Sequence, residues 1–552
     1  MEAAPVNIIQ YFDGAKQGII PLFQRPYSWE WKDWKTLWED VLAQYLPGDR
    51  TSHFMGAVVT VPVKTVPVGV TKHLVIDGQQ RLTTVAILLC AIRDHLAADE
   101  PTKGIIGDLL QNRHYHPPDD LKLVPTQADR AAFGALVKGD DLAAFAGSSV
   151  IDAYRFFAKQ LEGKDSDDQP LVPRTVLEAI QQSLQVVMIN LSATDDPYLI
   201  FESLNHKGKP LSEADLVRNY VLMRFQHSIA AGGEQEQVYQ QLWSPMEAAL
   251  RDRISEFLRH YGMRFGTNVR KGEVYTAFKS NYEALKTSDD VVNELKETKQ
   301  CALAYERFAN PELEENGEIA MRLQRMIDLD SSVFFPLLLR IYRSWQLEKI
   351  DAAVVSRFLD HLESFYVRRL VCGVPTNALN KLTLEWCPHL PEDHPDVWLA
   401  ERMSQGAGGR KWPTDAEFAD ALVRSQIYPR RNIVRYLLDN LETAFDHKEK
   451  AELASATIEH VMPQTLSDEW KQALGPNATE QANLWCDTLG NLTLTGYNPE
   501  LSNAAFADKK AILSGSHYEL SRWIVEQGAW SSAEIETRGR QLAEMALARW
   551  RR

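Results

Sequence analysis

Apolar and polar positions fall into three regimes along the chain. From about Ile8 to Tyr220, short β-like runs (FMGAVVTVPV at 54–63, LVI at 74–76, VVMINL at 186–191) mix with stretches of helical spacing. That mixture predicts an α/β or α+β domain. From about 221 to 400 strand signals nearly vanish. There, stretches such as FFPLLLRIYRSWQLEK and VSRFLDHLESFYVRRLV repeat apolar residues at three- and four-residue steps, which predicts a helical bundle. The run SQGAGGRKWPTD at 404–415 is glycine-rich and ends in Trp-Pro, the pattern of a linker or domain boundary. Further helices and a compact segment from about Thr457 to Leu513 follow, and no repeat of about 20–50 residues recurs.

The pattern changes character most sharply in HLVIDGQQRLTTVAILLCAIRD, residues 73–94. A strand at Leu74–Ile76 meets a helix of about Leu82–Leu96 through Asp77-Gly78-Gln79-Gln80-Arg81, so amides without helical partners point out of the turn and suit an anion. Gly78 allows a close backbone approach or a positive φ, Arg81 can fork onto phosphate oxygens, and Gln79 and Gln80 add neutral donors. The same residues would equally serve a plain turn, with Asp77 capping the helix and Arg81 pairing with a surface acid. Upstream, PLFQRPYSWEWKDWKTLWEDV (21–41) places Trp31, Trp34, Trp38 and Val41 on one helical face, which predicts core packing. Gln24, Arg25 and Tyr27 precede that helix in an extended, proline-bounded stretch and are candidates for binding. In PYLIFESLNHKGKPLSEADLVRNYVL (197–222), Asn205, Lys207 and Gly208 fall in a turn between two helices, and Ser212 with Asp215 has the spacing of a capping box.

Length and composition narrow the class. A chain of 552 residues exceeds one core, and 45% apolar with 24% charged residues is ordinary globular composition. The N-terminus lacks a signal-peptide pattern, and the longest apolar run, VAILLCAI, is far below the ~20 residues of a membrane span, so a cytoplasmic protein is expected. Five cysteines (Cys90, Cys301, Cys372, Cys387 and Cys486) stand apart without a CxxC pair, which predicts reduced thiols and no zinc knuckle. A net charge of −15 argues against a broad phosphate-binding surface but permits a local basic patch.

The second chemical cluster is TIEHVMPQTLSDEW (457–470) with LWCDTLGNLTLTGYNPELSNAAFADKKAIL (484–513). Metal-assisted phosphodiester cleavage needs a base, a ligand set for a divalent ion and a group that orients the base. His460 can be the base, Glu459 can reach a metal from the other side of a strand, and Asn491 can fix the imidazole or the backbone of the first strand. Asn498 and Asn503, placed near the start of a helix of about Ala504–Leu513, can complete a cation's shell, and Lys509 and Lys510 can meet phosphate. A histidine before a proline and asparagines in turns are also common without any such role.

FQRPYSW, DGQQR and FESLNHKGKPLSEADL, in that order, resemble the N-terminal domain of the GmrSD family of modification-dependent (type IV) restriction enzymes. EHxxPQ, LGNLTL and NxxxSNxxFxxKK resemble that family's C-terminal His-Me finger (HNH-type) domain, and WPTDAEFADALVRSQIYPRRNIVRYLLDNLE (412–442), with Arg430, Arg431 and Arg435, resembles its helical lead-in. The middle fits only loosely, through VRRLVCG at 367–373.

The resemblance implies an α+β, mainly helical chain in three parts: a ParB/sulfiredoxin-like α/β domain over 1–225, a helical connector over 226–405, and a ββα-metal nuclease domain with its lead-in over 406–552. It implies a nucleotide pocket walled by Gln24, Arg25, Tyr27, Asp77, Gly78, Gln79, Gln80, Arg81 and Asn205, which binds and hydrolyses an NTP such as GTP; no Walker A pattern competes for that role. It makes His460 the catalytic histidine and Asn491 the middle asparagine, with Asn498 or Asn503 third and Glu459 with Asn503 holding Mg²⁺ or Mn²⁺. The partners implied are modified double-stranded DNA, the proteins of a DNA-modification system and a second copy of the chain, since one such site nicks one strand. An RNase or toxin, and a non-catalytic nucleotide-dependent DNA-binding adaptor, are the other classes the same residues allow.

Overall fold

The computed structural model describes residues 2–21, 24–45, 52–63, 69–165, 167–191, 212–225, 233–445 and 451–552. The chain divides into two compact units, one of residues 1–244 with 278–292 and the other of 245–277 with 293–552. Helices dominate, and among the described residues none is long and apolar enough to cross a membrane.

The first unit is built on a six-stranded mixed sheet. Its strands are β1 (Glu2–Asn7), β2 (Lys16–Ile19), β3 (His53–Pro62), β4 (Thr71–Asp77), β5 (Leu123–Val124) and β6 (Leu184–Asn190), in the order β1-β6-β3-β4-β2-β5. β1 runs antiparallel to β6 and β3 antiparallel to β4; β3 is parallel to β6, and β2 is parallel to both β4 and β5. The three runs legible as strands are β3, β4 and β6. β1 carries Pro5, which its edge position tolerates.

Helix Gln79–His95 buries every side chain from Leu82 to Ile92. It packs with Val58, Val75 and Val186 of the sheet and against helices Pro101–Leu110, Ser149–Leu161 and Pro173–Ser183. A helix apolar all round is stable only when surrounded in this way. In helix Trp31–Leu42 the buried face is Trp34, Leu37, Trp38 and Val41. Trp31, expected on that face, is 59% exposed: it opens the helix beyond the packed region, with Lys35 Nζ 5.1 Å from its ring centre. The expected capping box at Ser212 and Asp215 is formed, ahead of helix Glu213–Met223.

The second unit takes in most of the helical middle together with the C-terminal segments. The run 404–415, expected to be a linker or domain boundary, lies within this unit. Trp412 is buried, and the guanidinium of Arg369 donates to the carbonyls of Pro375 (2.7 Å), Gly409 (2.9 Å) and Lys411 (3.0 Å). A buried cation without a carboxylate partner requires such carbonyls, and they hold the glycine-rich loop in place. Toward the C-terminus, β7 (Thr457–His460) and β8 (Leu492–Thr495) form an antiparallel pair, with Glu459 opposite Thr493 and His460 opposite Leu492. Helix Phe506–Leu513 follows. Arg538, fully buried on helix Ser532–Arg549, donates to the carbonyls of Gly490 (2.9 Å), Leu492 (2.7 Å) and Leu520 (3.0 Å), fixing the approach to β8.

Candidate functional site

In the first unit, the DGQQR turn and the segment around Arg25 hold each other. Gln24, almost fully buried, donates from Nε2 to the carbonyls of Val75 and Ile76, both at 2.8 Å. In return Gln80 accepts the Ser28 amide at 2.9 Å and donates to the Pro26 carbonyl at 3.2 Å, while Gln79 reaches the Arg25 carbonyl at 3.5 Å. Asp77 ends β4 opposite Val59, and Gly78, not Asp77, is the N-cap of the helix. Gly78 has φ of 89°, and a Cβ there would stand 2.9 Å from Val58 Cγ2, so both conformation and space require glycine. Leu82 is the first residue whose amide bonds back to Gly78, which leaves the amides of Gln79, Gln80 and Arg81 at the open end of the helix.

Two side chains depart from the expected pocket wall. Tyr27 is a core residue: its hydroxyl lies 2.7 Å from Thr84 Oγ1 and accepts from Trp34 Nε1 at 2.9 Å, so the ring presents no face to a ligand. Arg81 folds back so that its guanidinium donates to the Ala57 carbonyl and lies against Gly56. Arg25 is half-buried; desolvation lowers its pKa, opposed by the nearby Asp215 and Asp33 carboxylates. Asn205 lies outside the described residues.

In the second unit three segments converge on His460, which ends β7 and is buried. Its Nε2 lies 3.0 Å from Asp487 Oδ1, a residue the sequence reading passed over. The Asp487 carbonyl accepts the amides of Ile427 (2.9 Å) and Tyr428 (3.2 Å), so the lead-in segment fixes the strand-side loop. The Tyr428 ring meets the imidazole edge-on, with centroids 4.2 Å apart, and Arg431 stacks over Tyr428 at 5.1 Å. Burial lowers the His460 pKa; the hydrogen bond and charge of Asp487 oppose this, and the charges of Lys509 and Arg431 reinforce it. In its neutral form the imidazole can donate from Nε2 to this carboxylate and keep Nδ1 as an acceptor.

Asn491 lies in the turn Leu489–Asn491 rather than on β8 itself, and it grips backbone rather than imidazole. Its Oδ1 accepts the Met462 amide (2.7 Å) and Trp530 Nε1 (2.9 Å), and its Nδ2 donates to the carbonyls of Met462 (2.9 Å) and Cys486 (2.8 Å). Glu459 is buried, and its Oε1 takes the Lys509 ammonium at 2.6 Å; Lys509 also donates to the His460 carbonyl at 2.7 Å. Desolvation raises the Glu459 pKa and lowers that of Lys509, each opposed by the other's charge. Lys509 therefore fastens helix Phe506–Leu513 to the strand instead of meeting phosphate, and Lys510 donates to the Gln527 carbonyl at 2.9 Å.

Asn498 opens the short helix Asn498–Leu501 and is half-buried; Asn503, just beyond it, is exposed. Of the expected basic face, Arg435 pairs with Asp439 at 2.7 Å and donates to the Ala456 carbonyl, and Arg430 donates to the Leu370 carbonyl. Arg431 is the one that stands beside the imidazole, on the Tyr428 ring.

Comparison with known families gives two matches in chain order. The GmrSD restriction endonuclease N-terminal domain matches residues 8–222, and the C-terminal domain of GmrSD restriction endonucleases matches residues 412–545. Among curated proteins nothing matched. The two matched spans hold both clusters just described and together cover more than half of the chain, so this protein belongs to the GmrSD family of restriction endonucleases.

Proposed function

We propose that this restriction endonuclease nicks modified DNA at His460 and that a nucleoside triphosphate held at the DGQQR turn controls when it does so. The observation that carries the proposal is the buried His460 imidazole with its Nε2 3.0 Å from the Asp487 carboxylate. Asp487 holds the tautomer in which Nδ1 can take a proton from water, and it stabilises the imidazolium that results. Arg431 and Tyr428, at the edge of the site, are placed to meet the phosphate of the strand to be cut.

Mg²⁺ or Mn²⁺, when bound, supplies positive charge to the scissile phosphate. Its hard-oxygen preference fits the Asp487 carboxylate beside His460. Asp487 has an exposed edge, whereas Glu459 is already neutralised by Lys509 and would take an ion only by releasing it. Asn498 and Asn503 are further oxygen donors in the same stretch of chain.

In the first unit, the amides of Gln79 to Arg81 at the helix start and the guanidinium of Arg25 favour the phosphates of an NTP, with GTP the first to test. Arg81 would join them by leaving the Ala57 carbonyl. Nucleotide and modified DNA then shift a population between restrained and active states, provided each binds the two states unequally. The modification sensed is a phosphorothioate or a glucosylated base.

The test uses supercoiled plain, phosphorothioated and glucosylated DNA, with Mg²⁺ and with or without GTP. Wild type should nick one modified DNA and stop on EDTA addition. His460→Ala should abolish cleavage, Asp487→Asn should lower it about 10²–10⁴-fold through the wrong tautomer, and Arg81→Ala should remove only the GTP response. Cleavage of RNA with DNA spared would overturn the substrate assignment.

A further inference from the structure

The fold brings His460 onto the adjacent pair Cys486 and Asp487. A ring nitrogen of His460, Sγ of Cys486 and a carboxylate oxygen of Asp487 all lie within 4.8 Å of one another. We propose that His460, Cys486 and Asp487 form a zinc site that switches the nuclease off.

The geometry is close to that of a bound ion. Zinc bonds of ~2.0–2.3 Å in tetrahedral arrangement put ligand atoms about 3.3–3.8 Å apart. The His460 and Asp487 atoms are already 3.0 Å apart, and Cys486 has only to turn from the Met462 carbonyl, which its thiol meets weakly at 3.5 Å. The backbones bearing the donors are pinned: the Cys486 carbonyl by Asn491, and the Asp487 carbonyl by the amides of Ile427 and Tyr428. One nitrogen, one sulfur and one oxygen are a borderline-soft set, suited to zinc and poorly suited to Mg²⁺.

Binding releases one proton, from the Cys486 thiol. Thiolate and carboxylate then bring two negative charges to the divalent ion, and a fourth position is left for water or a phosphate oxygen. Zinc on His460 Nε2 drives the remaining ring proton onto Nδ1, so the imidazole can no longer accept one. This inhibitory consequence rests on the role of His460 as base, but the binding itself does not.

Two readouts on the full-length protein separate these claims. The first is direct binding of Zn²⁺ alone by competition with a chromophoric chelator, with Co²⁺ substitution to look for a thiolate-to-metal charge-transfer band. Wild type should bind one ion per chain and show the band. Cys486→Ala should weaken binding at least tenfold and lose the band, and Cys486→Ser serves as a second, near-isosteric variant should the alanine protein fold poorly. The second readout is Mg²⁺-supported cleavage with added Zn²⁺, each variant compared with its own zinc-free rate. Wild type should be inhibited at one equivalent and recover with chelator, and the variants should resist.

Equal zinc affinity in wild type and both variants, or no stoichiometric binding, overturns the site whatever the nuclease does. Cys486-dependent binding that leaves cleavage untouched overturns the switch and places the fault in the assignment of His460 as base.

Discussion

Asn491→Ala should loosen the backbone just after His460. The amide is 0% exposed and makes four hydrogen bonds, two accepted and two donated. Truncation strands the Met462 amide, Trp530 Nε1 and the Cys486 carbonyl, and leaves the Met462 carbonyl only the weak contact of the Cys486 thiol. Each buried group left unpaired costs about 1–3 kcal/mol. A water admitted to the vacated space can satisfy part of the set, so the net loss should be about 3–5 kcal/mol. That is a large share of a typical domain stability of ~5–15 kcal/mol.

The assay is hydrogen exchange at the Met462 amide, together with urea unfolding of the whole protein. Opening made easier by that amount speeds exchange by roughly 10² to several 10³-fold, at about 1.4 kcal/mol per decade. Asn491→Asp should be at least as damaging, because the new carboxylate oxygen would face two carbonyls. Cleavage should fall with either change, since Met462 is two residues from His460. A loss below about 1 kcal/mol on Asn491→Ala would refute the clamp, because even one stranded group costs that much.

Other perturbations test other parts of the molecule. Gly78→Ala combines a left-handed φ with a Cβ 2.9 Å from Val58 Cγ2 and should destabilise the N-terminal unit by about 2–4 kcal/mol, seen as an earlier urea midpoint; an unchanged midpoint would sink the close-approach argument. Lys509→Met leaves the buried Glu459 carboxylate without its counter-ion and should cost about 3–5 kcal/mol, with most of it recovered by adding Glu459→Gln; no recovery in the double variant would mean the charge is not the cause.

His260, almost fully buried, lies 2.9 Å from Tyr305 Oη at Nδ1 and 2.8 Å from the Arg259 guanidinium at Nε2; burial first, then the Arg259 charge, push its pKa from 6.5 down to about 3. Between those values the unfolded chain takes the proton and the folded one does not, so stability falls as pH drops through 6.5, by about 1.4 kcal/mol per pH unit and about 2 kcal/mol at pH 5. His260→Gln should flatten that slope in unfolding curves at pH 7 and pH 5, and equal slopes would reject the assignment.

Local pattern carried part of this protein. Short β-like runs marked β3, β4 and β6, the apolar run after Arg81 marked the buried helix Gln79–His95, and Ser212 with Asp215 marked a helix start, because each signal lies within a few residues of itself. β2 and β5 are too short to show a period, and Trp31 fits the helical stripe yet stays exposed because burial depends on what stands opposite. The glycines and Trp-Pro of 404–415 mark a loop, but what holds that loop is Arg369, about 40 residues earlier in the chain.

The same division runs through the candidate site. His460, Asn491 and the DGQQR turn stood out in sequence as polar residues interrupting apolar runs. Asp487 could have been noticed as the acid inside LWCDTLGNL, with Cys486 beside it, but nothing local ties either to a histidine 26–27 residues earlier. Sequence alone determined which residue types and turns are available, since backbone preference and periodicity act over a few positions. Tertiary structure decided which of them meet: a hydrogen bond or an ion pair acts over about 3 Å of space, and only the folded chain puts Asp487 and Cys486 beside His460, and Lys509 onto Glu459.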